Sequence, residues 1–127
     1  MTLAYWCVLV AMLLPLLTAM YAKASGGFKP QDNHDPRAFL SQLQGKAARA
    51  QAAQANAYEV NPFFAAAVII AHVSGGAVQT TIDLWATLFV LSRLAFIVCY
   101  VRDWPTCRSA SWGLGLVCIV ALFIAAV

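Results

Sequence analysis

The chain has 127 residues, of which 62% are apolar and only 10% charged, and its mean hydropathy is +0.75. A soluble domain of this size exposes about a third of its unfolded surface and carries about 25% charged residues, so a soluble domain is excluded, and disorder needs the opposite composition. The net charge of +3 follows the membrane topology derived below, not a basic groove, which argues against a nucleic-acid partner. A small integral membrane protein remains.

Four stretches are long enough to cross a bilayer, which takes about 20 apolar residues. Residues 2–21 carry no charge, and residues 60–82 carry only His72 as a titratable group. Residues 84–101 carry one charge, Arg93, and residues 109–127 carry none. Lipid cannot satisfy an open backbone, so these read as helices, and the alternation of a transmembrane barrel is absent. The fold class expected is all-α, a four-helix membrane bundle occupying 1–127 as a single domain. Ala22-Lys23-Ala24 resembles a signal-peptide cleavage site. Span one is nonetheless expected to be retained, since no basic residue precedes it and it exceeds the usual apolar region of a signal peptide.

Seven of the eight basic residues fall in two connections. Lys23, Lys29, Arg37, Lys46 and Arg49 lie between spans one and two, and Arg102 and Arg108 bracket the third connection. The second connection, around Ser74–Asp83, and the C-terminus have no Lys or Arg. The positive-inside rule therefore puts loops 22–37 and 102–108 in the cytoplasm and both termini outside. Cys7, Cys99, Cys107 and Cys118 form no CxxC pair, so neither a disulfide framework nor a metal site is expected. They read as small packing residues.

Asn33-His34-Asp35-Pro36 looks like a turn and a helix start, with Asp35 as cap and Pro36 in the first position. An Ala-rich helix is predicted from Pro36 through to His72, too long for the hydrocarbon layer, so its first turns form a cytoplasmic or neighbour-packed extension. Arg49, Asn56 and Glu59 fall within roughly an 80° sector of it, with Gln42 on the same stripe and Gln51 and Gln54 flanking it. A carboxylate at the membrane boundary is costly unless paired. Glu59 is either one half of a packing pair or part of a ligand site. Pro62 follows and tends to kink the helix.

In span three, Arg93, Phe96 and Tyr100 share a face. An arginine inside a span faces the bundle interior or a wet cavity, and Glu59 is its natural partner. Tyr100 reads equally as an interfacial anchor. Thr106 or Asp103 is a candidate cap for the last helix. Arg108 in its first turn opposes the helix dipole unless an anion lies nearby, and otherwise reads as a snorkelling cation.

Arg49-Ala-Gln-Ala-Ala-Gln-Ala-Asn56-Ala-Tyr-Glu59-Val-Asn-Pro62-Phe63 resembles the signature of the MAPEG superfamily, membrane-associated proteins in eicosanoid and glutathione metabolism. Arg93-Leu-Ala-Phe96, Tyr100 and Pro105-Thr-Cys-Arg108-Ser-Ala-Ser-Trp112 look like the short bacterial members, and Asn33-His-Asp-Pro-Arg37-Ala-Phe resembles their entry to helix two. The resemblance spans nearly the whole chain. It implies a trimeric four-helix bundle in a bacterial inner membrane, with glutathione as co-substrate bound between helices of adjacent subunits. By matching position, Asn56 and Glu59 hold the peptide, joined by Arg49, Gln54, Tyr58, Arg93 and Tyr100. Arg108 matches the arginine that stabilises the thiolate, a role that a cation beside a thiol suits. Two positions depart from the pattern: Ala52 stands where many of the enzymes have a second arginine, and Phe96 replaces a tyrosine.

The function so implied is a glutathione-dependent transferase or peroxidase acting on lipophilic electrophiles. A non-catalytic lipid-binding or scaffold protein of the same fold is the alternative, since fold does not fix function. A small transporter fits less well, because only Arg93 lies at mid-depth in a span.

Overall fold

Each of the four apolar stretches forms a helix in the computed structural model, which describes residues 1–127; there is no strand. Helix α1 spans Leu3–Gly26. Thr2 caps it, its hydroxyl accepting from the Tyr5 amide at 3.4 Å. A second acceptor comes from elsewhere in the chain: Asp83 Oδ1 accepts from the Ala4 amide at 2.9 Å, satisfying a donor that the first helical turn leaves open. The carboxylate also suits the positive end of the helix dipole. Pro15 lies inside α1. It has no amide hydrogen, so the carbonyl four residues earlier, on Ala11, loses its helical partner. The Asn61 side chain replaces it, donating from Nδ2 to the Ala11 carbonyl at 2.6 Å.

After Gly27, in the left-handed region at φ 78°, a 3-10 turn covers Pro30–His34 and helix α2 covers Pro36–Ser41. Asp35 caps α2 as the sequence indicates, accepting from the Ala38 amide at 3.0 Å. The long helix expected from Pro36 is interrupted. Gln42 ends α2, Gln44 is extended, and helix α3 begins only at Gly45 and runs to Ser74. Gly45 sits at φ 59°, a conformation that glycine adopts far more cheaply than other residues. Gln42 is therefore off the α3 stripe. Pro62 is accommodated within α3.

The next connection is only Gly75–Val78, so helix α4 starts at Gln79 and ends at Val101. Residues 79–82, which hydropathy alone joins to span two, belong to α4. Helix α5, Pro105–Ala125, begins with proline in its first position, where the missing amide hydrogen costs nothing. Neither Thr106 nor Asp103 caps it; the cap residue is Trp104, without a side-chain bond.

The most extensive contacts are α4 with α5 and α1 with α3, and α3 also packs on α4. Phe64 of α3 stacks on Phe89 of α4 at 3.9 Å between centroids. Around them lie Ala4, Cys7 and Ala11 of α1, Ala67 and Ala71 of α3, Ala86 of α4 and Cys118 and Leu122 of α5. Small residues let helices approach where lipid supplies no hydrophobic drive. At Gly115 a Cβ would lie 3.1 Å from Ser92 Oγ. Leu16, Leu17 and Met20 of α1 and Leu116, Val117 and Val120 of α5 are exposed, the outward apolar surface of a membrane protein.

Contacts fix the ends of the bundle. Thr2 Oγ1 lies 3.0 Å from His72 Nε2, and Gly76 packs against the Ala126 carbonyl. Both termini and the α3–α4 connection therefore share one end, and the two basic connections share the other. At this basic end, Arg49 donates from Nε and Nη2 to the Val101 carbonyl at 3.2 and 3.1 Å. A disulfide joins Cys99 to Cys107, with Cα atoms 5.8 Å apart. This corrects the expectation that the cysteines stay unpaired. The α4–α5 turn folds residues eight apart back onto each other, a closeness that the linear spacing does not display. Cys7 and Cys118 remain free and buried.

Candidate active site near the basic end

Three helices bring the polar residues together. Arg93 of α4 is 2% exposed. Its Nη2 donates to Asn56 Oδ1 of α3 at 2.8 Å, and Asn56 Nδ2 donates to Glu59 Oε2 at 3.3 Å. The ion pair envisaged between Glu59 and Arg93 is thus replaced by a relay through the amide of Asn56. Nor does Arg49 reach Glu59, because its donors go to the Val101 carbonyl. Glu59 itself is exposed on the surface of the chain. The Arg93 guanidinium lies 4.2 Å from the Phe96 ring centroid, a favourable cation–π placement. Its Nε and Nη1 are buried without a hydrogen-bond partner.

Phe96 meets Tyr100 edge to face, with centroids 5.4 Å apart. The Arg108 guanidinium of α5 lies 4.7 Å from the Tyr100 ring centroid. These groups open onto a cavity of about 260 Å³ lined by Asn56, Phe96, Tyr100, Arg108, Ser109 and Trp112. Directly beside it runs an apolar groove of about 410 Å³, lined by Asn56, Glu59, Val60, Phe63, Trp112, Leu116, Ile119 and Phe123. Asn56 and Trp112 belong to both. A polar chamber with a cation on its wall therefore adjoins an apolar groove.

The structure gathers Asn56, Glu59, Arg93, Tyr100 and Arg108. It does not gather all the expected residues. Arg49 ties α3 to the end of α4. Tyr58 is exposed and lines a separate groove with Met12, Pro15, Asn61, Pro62 and Ala65. Gln54 lines neither the cavity nor the groove. Trp112 and Ser109 were not singled out as site residues from sequence, although Trp112 lies one helical turn beyond Arg108 and so on its face. Leu116, Ile119 and Phe123 continue that face into the groove.

Arg108 and Asn56 on the cavity wall and Glu59 at the groove present a cation, an amide and a carboxylate, whereas the buried Arg93 lines neither space. Ala52 adds no cation, and the exposed basic residues of the same end are Lys29, Arg37, Lys46 and Arg102.

The chain matches none of the curated proteins with which it was compared. The sequence model of the MAPEG family matches residues 3–127, essentially its whole length. Four helices long and apolar enough to cross a membrane, packed in one bundle, agree with that match, and the chain belongs to the MAPEG family.

Proposed function

We propose that the protein is a glutathione-dependent transferase or peroxidase acting on lipophilic electrophiles from within a bacterial inner membrane. The observation that carries this reading is the sharing of Asn56 and Trp112 between the polar cavity and the apolar groove. A water-soluble thiol and a membrane-dissolved substrate then meet at one wall. Asn56 and Glu59 hold the peptide of glutathione, and Arg93 positions Asn56 from behind. Arg108 stabilises the thiolate, raising the fraction of the nucleophilic form. The thiolate attacks the electrophilic atom, a bond to sulfur forms, and the leaving group departs with the displaced electron pair. Tyr100 orients Arg108 through its ring.

The active unit in this reading is a homotrimer. The exposure of Glu59 and the open side of the groove suit completion by a neighbouring subunit, and the Ala-rich face of α3 permits close helix approach. Loops 22–37 and 102–108 face the cytoplasm, where glutathione is supplied.

Calorimetry and thiolate absorbance with purified protein test the reading. Binding of glutathione with a thiolate signal at neutral pH is expected. Absence of binding at millimolar glutathione would instead favour a lipid-binding member of the family, using the groove alone.

A further inference from the structure

The Cys99–Cys107 disulfide lies outside the chemistry proposed above, yet it touches its frame. Cys99 immediately precedes Tyr100 and Cys107 immediately precedes Arg108. The bond thus fixes the first turn of α5 on the last turn of α4, the two segments that carry the Tyr100–Arg108 contact of 4.7 Å. The rest of the turn is held by main-chain bonds, from the Trp104 amide to the Cys99 carbonyl at 2.8 Å and from the Asp103 amide to the Tyr100 carbonyl at 3.1 Å. Asp103 between them sits in the left-handed region at φ 59°, which few side chains favour.

The two sulfurs differ in access. Cys99 is 3% exposed, whereas Cys107 is exposed. A nucleophile from water therefore reaches Cys107 first. Arg108 next to it and the positive end of α5 attract an anionic thiolate. The basic residues flanking this turn put it on the cytoplasmic side, where disulfides form transiently and serve as sensors.

We infer that Cys99–Cys107 is a reversible redox clamp on the Tyr100–Arg108 pair, opened by a small-molecule thiol. The thiolate attacks Cys107 Sγ, a new sulfur–sulfur bond forms there, and the bond to Cys99 breaks. Cys99 leaves as thiolate and takes up the proton that the attacking thiol gave up. A second thiol attacks the mixed disulfide, releasing reduced Cys107 and one oxidised small-molecule disulfide. Two thiols are oxidised and one protein disulfide is reduced. With the clamp open, the first turn of α5 separates from α4 and the cation leaves its aromatic seat. The clamp does not depend on glutathione being the substrate of the cavity.

The test uses the full-length protein in detergent, purified without reductant and then unfolded in the presence of an alkylating agent. Cys7 and Cys118 should be alkylated and Cys99 and Cys107 protected. After incubation of the folded protein with millimolar reduced glutathione or dithiothreitol, all four should be alkylated, and oxidised glutathione should restore protection. Opening should raise amide hydrogen exchange over residues 104–109 several-fold. Cys107→Ser, at an exposed position, should show the fast exchange with or without thiol. Alkylation of all four before reduction, a pair that neither thiol opens, or exchange that is the same in both states would each overturn the proposal. Calorimetry on the same preparation separates it from the glutathione reading. A pair that opens in protein giving no binding heat keeps the clamp and removes that reading; binding with a pair that stays shut does the reverse.

Discussion

Asn56 stands between Arg93 and Glu59, accepting from the guanidinium at 2.8 Å and donating to the carboxylate at 3.3 Å. A neutral amide thereby couples a buried cation to an exposed anion. The middle of this relay and its exposed end should respond very differently to mutation.

Asn56→Ala removes the side-chain acceptor that the buried Arg93 uses, while its other side-chain donors already lack partners. A hydrogen bond to a charged group is worth about 1.5–3 kcal/mol, so the variant should unfold more readily by roughly that amount. Glu59→Ala breaks no buried ion pair and should cost less than about 0.5 kcal/mol, as for an ordinary surface site. Thermal unfolding of both variants in one detergent compares them. Equal losses would mean that Glu59 is the structural partner of Arg93 after all.

How far this arrangement is legible in the sequence depends on the kind of contact. The stripe Arg49, Asn56 and Glu59 follows from helical periodicity, and Arg93 announces itself as a lone charge in an apolar span. Their pairing does not follow, because attraction between opposite charges suggests Arg93 with Glu59, whereas packing interposes Asn56 and sends Arg49 to the carbonyl of Val101. Helix ends show the same division. Asp35-Pro36 marks a helix start through local chemistry and does so in the structure. The break before Gly45 rests on one glycine at positive φ inside an Ala-rich run, a signal that helix propensity overrides. The Cys99–Cys107 bond depends on a tight turn, and nothing in the spacing of eight residues reveals it.

Arg108→Ala should leave the fold almost intact, since the residue loses only its contact with the Tyr100 ring, worth about 0.5–1 kcal/mol at an accessible site. Glutathione bound to the variant should titrate closer to the free thiol value of about 8.5. The measurement is thiolate absorbance against pH for the two proteins at saturating glutathione. Coincident curves would remove Arg108 from the catalytic role.

Asn61 and Pro15 offer a test of the packing between α1 and α3. Asn61→Ala strands the Ala11 carbonyl, which Pro15 leaves without a helical donor, and should cost about 1–3 kcal/mol. Pro15→Ala restores an amide hydrogen four residues beyond that carbonyl. The double variant should therefore recover much of the loss, giving a coupling energy well above the additivity error of about 0.5 kcal/mol. Strictly additive melting shifts would show that the 2.6 Å bond from Asn61 does not stand in for the helical donor that Pro15 lacks.

Topology is the last prediction, and it bears on the chemistry of both the cavity and the disulfide. Thr2 beside His72 and Gly76 beside Ala126 put both termini and the α3–α4 connection at one end of the bundle. Lys29, Arg37, Lys46 and Arg102 lie at the other. Basic connections are retained in the cytoplasm, so a reporter fused after Val127 should be active only if it folds outside: alkaline phosphatase active, a cytoplasm-dependent fluorescent protein dark. The opposite pattern would place the Tyr100–Arg108 cavity in the outer compartment, away from the cytoplasmic thiol pool. It would also place Cys99 and Cys107 where disulfides persist, turning a clamp that small thiols can open into a fixed brace. One fusion pair thus decides whether the polar cavity and the cystine beside it face the cytoplasmic thiols.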